Sequence, residues 1–385
     1  MIPADPPRRI VELDAYLAAL PPDQRACFNR IYCASATVGE LVAPEMMHAW
    51  IVQQFGSVDA VRRQRIVKIT NRITLEGALF NELRARRPVE APPASADVEE
   101  TIRNISGCAF CHPHDSTPAD TFGRIRGKHC VTASNVAKYD GWHAVVIFDE
   151  HHPLRFSLEQ VADYVNTAQA WARAAYQADP DACYPLFLWN CLWRSGASIV
   201  HGHAQMVLTR GMPYARVEAW RQAAQHYTAA FGADYVADLV GIYHRLGLAV
   251  EHGAATLLPS LTPAKDKETL IVAPHLDADL LSAVYHVLRS FVDRLHVRSF
   301  NLALYQPPLA ETPEDWSGTP FLVRILDRGD LRSGASDVGA MEFFAQSVIA
   351  TDPYRVADAL RAGPPAPSTG ADLEVGAGAS PHPSH

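Results

Sequence analysis

The chain has 385 residues, 48% of them hydrophobic and 20% charged, which is ordinary globular composition and a length suited to two domains with extensions. Its formal net charge of -8 argues against nucleic acid as a partner, so any phosphate site must be a local cluster of Arg or Lys. No signal-peptide core opens the sequence and no run reaches about 18 apolar residues, so the expectation is a cytoplasmic protein without membrane contact.

In chain order, residues 1–65 read as a helical N-terminal extension, because LDAYLAAL and PEMMHAWIVQQF place apolar residues at three-to-four spacing. APPASADVEE, at 91–100, reads as a linker by its Pro and Ala content. A strand AVVIF, an amphipathic helix SLEQVADYVNTAQAWARAAY and strands YPLFLW and ASIVHGHAQMVL follow. That order recurs as TLIVAP, a helix with Leu280, Leu281, Val284, Leu288, Phe291 and Leu295, then FNLALYQ and TPFLVRIL. The fold class expected is therefore α+β, built from tandem duplicated units with antiparallel sheets and packed helices. The units span residues 66–230 and 231–362, and the low-complexity tail 363–385 is expected to be disordered.

Three constellations carry chemistry. On a strand, His201, His203 and Gln205 fall on one face, so one imidazole can act as nucleophile, the other can bind metal, and the amide can donate to a phosphoryl oxygen. The same spacing also suits two surface histidines without function. Cys108 and Cys111 form a C-x-x-C turn, half of a tetrahedral zinc site, with His112, His114, His151, His152 and His201 as candidates for the other half. Seven cysteines, scattered apart from that pair, argue against a disulfide framework and for reduced thiols with one metal site. Finally, Arg84, Arg86 and Arg87 in LRARRP make a local cationic cluster, which taken alone reads as a solvated charge run before a linker.

Together these residues resemble the galactose-1-phosphate uridylyltransferase family of the histidine-triad superfamily, over roughly residues 70 to 350. The most specific stretch is NCLWRSGASIVHGHAQ, similar to the family's Asn, Gly, Ser, His-Pro-His, Gln signature, with Gly202 in place of the usual Pro. The resemblance implies histidine-triad-like units, with His203 as the nucleophile that takes a nucleoside monophosphate from a nucleotide sugar, and Gln205 beside it. Asn190 and Ser198 would orient the nucleophile or bind phosphate. Cys108, Cys111, His152 and His201 would hold one Zn2+, His152 fitting the family spacing better than His151. TNRITLEGALFNELRARRP is similar to the family's opening segment, so Arg84 and Arg87 would bind phosphate, with Asn135 near the nucleotide. SDVGAMEFFAQ resembles the sugar-contacting region, which offers Glu342 and Gln346 as substrate contacts. On the strand TPFLVRIL the second-metal histidines of some members give way to apolar residues or Arg324, so no iron-type site is expected.

The resemblance implies exchange of a nucleotide, by family default UMP, between a nucleotide sugar and a hexose 1-phosphate in galactose metabolism, and family habit suggests a homodimer. The sequence leaves base and acceptor open. The alternatives are a nucleotide-sugar or dinucleoside-polyphosphate phosphorylase and, from another class, a non-catalytic zinc-stapled nucleotide sensor. A histidine-triad hydrolase is disfavoured, since that branch carries a third histidine where this chain has Gln205.

Overall fold

The runs rich in Val, Ile and Leu pair into one antiparallel sheet that crosses the whole chain. In the computed structural model, which describes residues 7–86 and 98–365, the strands are β1 (Tyr32–Glu40), β2 (Arg63–Asn71), β3 (Gly77–Phe80), β4 (Cys130–Ser134), β5 (Trp142–Phe148), β6 (Ala182–Cys191) and β7 (His203–Arg210). They continue with β8 (Val250–His252), β9 (Ala255–Pro259), β10 (Thr269–Ala273), β11 (Phe300–Tyr305), β12 (Phe321–Asp327) and β13 (Ser347–Ile349). Nine of them form the order β4-β5-β7-β6-β11-β12-β10-β9-β8, and β1-β2-β3-β13 form a second, four-stranded sheet. The β6–β11 pairing, with Leu188 opposite Ala303 and Asn190 opposite Asn301, joins the halves into one surface. On each side of that seam the chain runs strand, helix, strand, strand.

One face of the large sheet is covered by the helices Leu158–Ala178 and Ala278–Asp293. Both begin on strong caps, since free backbone N–H groups at a helix start need acceptors. Ser157 and Gln160 form a reciprocal capping box, and the Asp277 side chain accepts from Asp279 N and Leu280 N. Their apolar stripes bury Val161, Tyr164, Trp171, Leu280, Val284 and Phe291 against Phe148, Trp189, Phe300 and Ile325 of the sheet. Phe148 and Tyr164 stack with centroids 3.6 Å apart. On the opposite face a second core packs Ile10, Phe28, Ile31, Tyr32, Val67 and Phe80 with Tyr243 and Leu258.

The N-terminal region is not helical throughout. Tyr32–Glu40 is a strand paired residue by residue with Arg63–Asn71, so the boundary expected after residue 65 falls inside β2. Most of β1 is exposed, so its sequence carries little of the alternation that marks a half-buried strand. The expected linker ends in a helix, Val98–Asn104, while residues 91–97 and most of the C-terminal tail lie outside the described residues. No helix among the described residues is long and apolar enough to cross a membrane.

Candidate active site and metal centre

β5, β7 and β6 place the candidate residues. Ile147 pairs with His203, Val145 with Gln205 and Leu188 with Gln205, so His203 and Gln205 share the sheet face turned away from the helix Leu158–Ala178. Val131, Ala133, Val145 and Ile147 extend that face, and Phe110 packs on it, edge-on to His203 with centroids 5.3 Å apart. His203 is buried, and burial pushes its imidazole below the usual histidine range, so the ring is neutral at pH 7. Its Nδ1 lies 2.8 Å from the His201 carbonyl oxygen and donates to it, which leaves the lone pair on Nε2.

His201 precedes β7 rather than lying within it, and its orientation comes from a hydrogen bond instead of strand alternation. Its Nε2 donates to Phe148 O at 2.7 Å, and His151 Nε2 donates to Ile102 O at 3.0 Å. With both protons committed to carbonyls, the two Nδ1 lone pairs face each other at 3.0 Å. Cys108 Sγ is 3.6 Å and Cys111 Sγ 3.5 Å from His201 Nδ1, Cys111 Sγ is 3.3 Å from His151 Nδ1, and the two sulfurs are 3.8 Å apart. A tetrahedron with Zn–S and Zn–N bonds of ordinary length has edges of about 3.8, 3.6 and 3.3 Å. The four residues could therefore hold a metal ion, all donor atoms lying within 4.8 Å of one another. Facing lone pairs with carbonyl-anchored outer nitrogens are what a cation requires of two imidazole ligands.

His152 does not join this cluster, which corrects the expected ligand set. Its Nε2 lies 3.0 Å from Glu99 Oε2 and its Nδ1 accepts from Leu154 N at 3.2 Å, so both ring nitrogens are engaged away from the cluster. The backbone explains the choice: Gly202 N donates to His151 O at 3.1 Å and His152 N donates to Glu150 Oε1 at 2.9 Å, pinning the loop with His151 toward the thiols.

Three of the remaining candidates, Arg84, Glu342 and Asn190, line two openings. A cavity of about 700 Å³ is lined by Arg84 and Glu342, with Arg194, Lys265, Arg328 and Arg332 supplying cations and Asp266, Asp327, Asp330 and Asp337 balancing them. Arg84 is exposed there, whereas Arg86 is structural, its Nη1 donating to Phe55 O at 2.9 Å. Arg87 lies outside the described residues. Glu342 Oε2 accepts from Gly339 N at 2.9 Å, and Gln346 Nε2 is buried without a hydrogen-bond partner among the described residues. A second cavity of about 730 Å³ is lined by Asn190, Leu188, Tyr139, Tyr214, Asn301 and Arg324, among others, and Arg328 borders both. Asn190 Oδ1 accepts from Asn301 Nδ2 at 2.6 Å, and Asn301 Oδ1 accepts from Arg328 Nη1 at 2.7 Å, a chain joining the two openings. Ser198 sits exposed in the β6–β7 loop, and neither it, His203 nor Gln205 lines either cavity. Asn135 Nδ2 lies 3.2 Å from His143 Nε2, which is also 3.2 Å from Gln205 Oε1. Reading the sequence alone did not single out His143 and Asn301, which strand pairing brings beside Gln205 and Asn190, nor Arg194 and Arg328, which line the first cavity from loops.

No protein-family model matches this chain, and no curated protein matches it in sequence. Solved structures do match in fold. An ADP-glucose phosphorylase from Arabidopsis thaliana with bound ADP-glucose superposes with a TM-score of 0.56 at 17% identity, covering 75% of this chain and 96% of that one. A GalT-like protein of Arabidopsis thaliana gives 0.57 at 16% identity, over 77% of this chain and 99% of the other. A uridylyltransferase gives 0.50 at 19% identity, over 64% and 88%. The chain thus shares the fold of these three structures, a phosphorylase, a GalT-like protein and a uridylyltransferase.

Proposed function

We propose that this protein is a nucleotidyltransferase that moves a nucleoside monophosphate from a nucleotide sugar to a phosphate acceptor, a hexose 1-phosphate, through a covalent intermediate on His203. The observation that carries the reading is the geometry of His203: buried, its Nδ1 tied to a carbonyl and its Nε2 without a partner among the described residues, beside Gln205 on one sheet face. Nε2 attacks the α-phosphorus, the P–O bond to the sugar phosphate breaks, and the sugar 1-phosphate leaves with those electrons. The acceptor's phosphate oxygen then attacks the same phosphorus and frees the imidazole. Gln205 donates to a non-bridging oxygen as charge builds there. Arg84 and Arg87 neutralise the phosphates, Asn190 and Ser198 orient the transferring group, Asn135 lies by the nucleoside, and Glu342 and Gln346 meet the sugar. Cys108, Cys111, His151 and His201 would hold zinc, which with four protein ligands staples the loop carrying Phe110 to the start of β7. The two strand-helix-strand-strand units fit a duplication in which only the first kept its histidines.

The fold is shared by a uridylyltransferase and by a phosphorylase, so the acceptor decides between them. Isotope labelling tests this: with UDP-glucose or ADP-glucose, labelled hexose 1-phosphate should enter the nucleotide sugar without any second substrate. That exchange belongs to the first half-reaction of either enzyme, so the acceptor is read from the second: labelled nucleoside diphosphate formed from labelled orthophosphate selects phosphorolysis, and transfer to a different hexose 1-phosphate selects the transferase. Tight nucleotide binding with neither exchange nor transfer would select a non-catalytic sensor.

A further inference from the structure

His143 on β5 is fully buried, and a buried imidazole needs hydrogen-bond partners for both nitrogens. The Tyr139 backbone N–H donates to its Nδ1 at 2.9 Å. A neutral ring that accepts at Nδ1 carries its proton on Nε2, and that atom lies 3.2 Å from Gln205 Oε1, an acceptor. Asn135 Nδ2, 3.2 Å from the same nitrogen, is itself a donor and does not compete for the proton. The Tyr139 ring stacks on the imidazole at 4.2 Å and 20°, fixing its plane, and also lines the second cavity. His143 pairs with Val207, so it stands on the Val207 side of Gln205 while His203 stands on the other. With its oxygen held by His143, the Gln205 carboxamide keeps an NH2 that has no partner among the described residues and is free to donate.

We propose that His143 is a positioning residue that holds Gln205 Oε1 so that the Gln205 amide nitrogen donates to the phosphoryl group transferred at His203. This rests on the nucleotidyl-transfer reading above. His143 touches neither the substrate nor the metal ligands. It acts by fixing the rotamer of the residue that does, where a misplacement of about 1 Å costs roughly 100-fold in rate.

Single-turnover adduct formation from UDP-glucose or ADP-glucose tests it. His143→Phe, which keeps a ring under Tyr139 and removes the N–H, should slow the step about 10- to 100-fold at saturating donor with KM nearly unchanged. Introduced into Gln205→Ala it should slow nothing further, since the two residues act as one unit. His143→Gln, which restores a donor, should recover part of the rate. A full additional loss in the Gln205→Ala background, or an effect on KM alone, overturns the proposal. Independent of activity, two-bond 1H–15N NMR on histidine-labelled protein, assigned with His143→Phe, should show an Nε2-protonated His143 whose proton signal moves in Gln205→Ala. An Nδ1-protonated ring overturns it. A wild type that forms no adduct overturns the transfer reading, and the tautomer then still decides whether His143 holds Gln205.

Discussion

Position 202 tolerates only glycine, because a Cβ there would lie 2.7 Å from Phe148 Cδ2 and 3.1 Å from Glu150 O. The Gly202 N–H also donates to His151 O, a bond that a proline cannot make. This local geometry places His151, rather than His152, in the cluster that could hold a metal ion. His151→Asn is therefore expected to reduce bound metal from about one ion per chain toward none, since loss of one of four ligands opens the tetrahedron. His152→Asn should keep the metal and cost only about 1 kcal/mol for its contact with Glu99. Metal analysis of the gel-filtered variants checks both, and the opposite ranking would place His152 at the ion. That His203 and Gln205 share one sheet face was legible in the sequence because β7 begins at His203, so strand alternation holds for both. Cys108 and Cys111 were legible because their spacing is set by one turn. The fourth ligand was not, because neighbouring histidines differ only in tertiary partners: Ile102 O for one and Glu99 for the other.

At the scale of elements, the helix Leu158–Ala178 covers the sheet face turned away from His203, and β12 lies within the same sheet, next to β11. Ser157→Ala removes half of the capping box and should cost about 1 kcal/mol of stability by urea unfolding, with nucleotide transfer unchanged. On β12, Arg324 stands where the resemblance put a metal histidine in some relatives. Its Nε lies 2.7 Å from Glu268 Oε1 and its Nη1 2.7 Å from Glu76 Oε1, with Glu268 fully buried. Burial pushes the Glu268 carboxyl up, and Arg324 opposes that shift. Arg324→Met leaves this carboxylate buried and unpaired and should destabilise by about 3–5 kcal/mol, whereas adding Glu268→Gln should restore much of the loss. Equal melting of single and double variants would contradict that account. The strands and helices around both cavities were legible from apolar periodicity. β1 was not, because a strand exposed along most of its length has no hydrophobic face to advertise.

Across the whole molecule, the N-terminal region is part of the second core rather than a detachable cap. Ile10, Phe28 and Ile31 are buried in it, Ile10 N donates to Asp352 Oδ2 at 2.7 Å, and the same Asp352 caps the helix Pro353–Ala362. One carboxylate thus ties the first described helix region to the last. Asp352→Ala should cost about 2 kcal/mol, more than an isolated cap, and lower the melting temperature of the full chain. An effect within about 0.5 kcal/mol would show that the ends are not coupled. The two halves of the sheet meet at β6–β11, which brings Asn190 from one half against Asn301 from the other. That juxtaposition depends on pairing between segments more than a hundred residues apart, which no local pattern announces.

Intact-protein mass after mixing the chain separately with UDP-glucose, ADP-glucose and GDP-mannose tests the central claim most directly. The account predicts an acid-labile increase of one nucleoside monophosphate on the wild type with at least one donor, absent in His203→Asn. A metal-loaded wild type that consumes a donor without gaining mass, or a His203→Asn variant that gains the same mass, would contradict it.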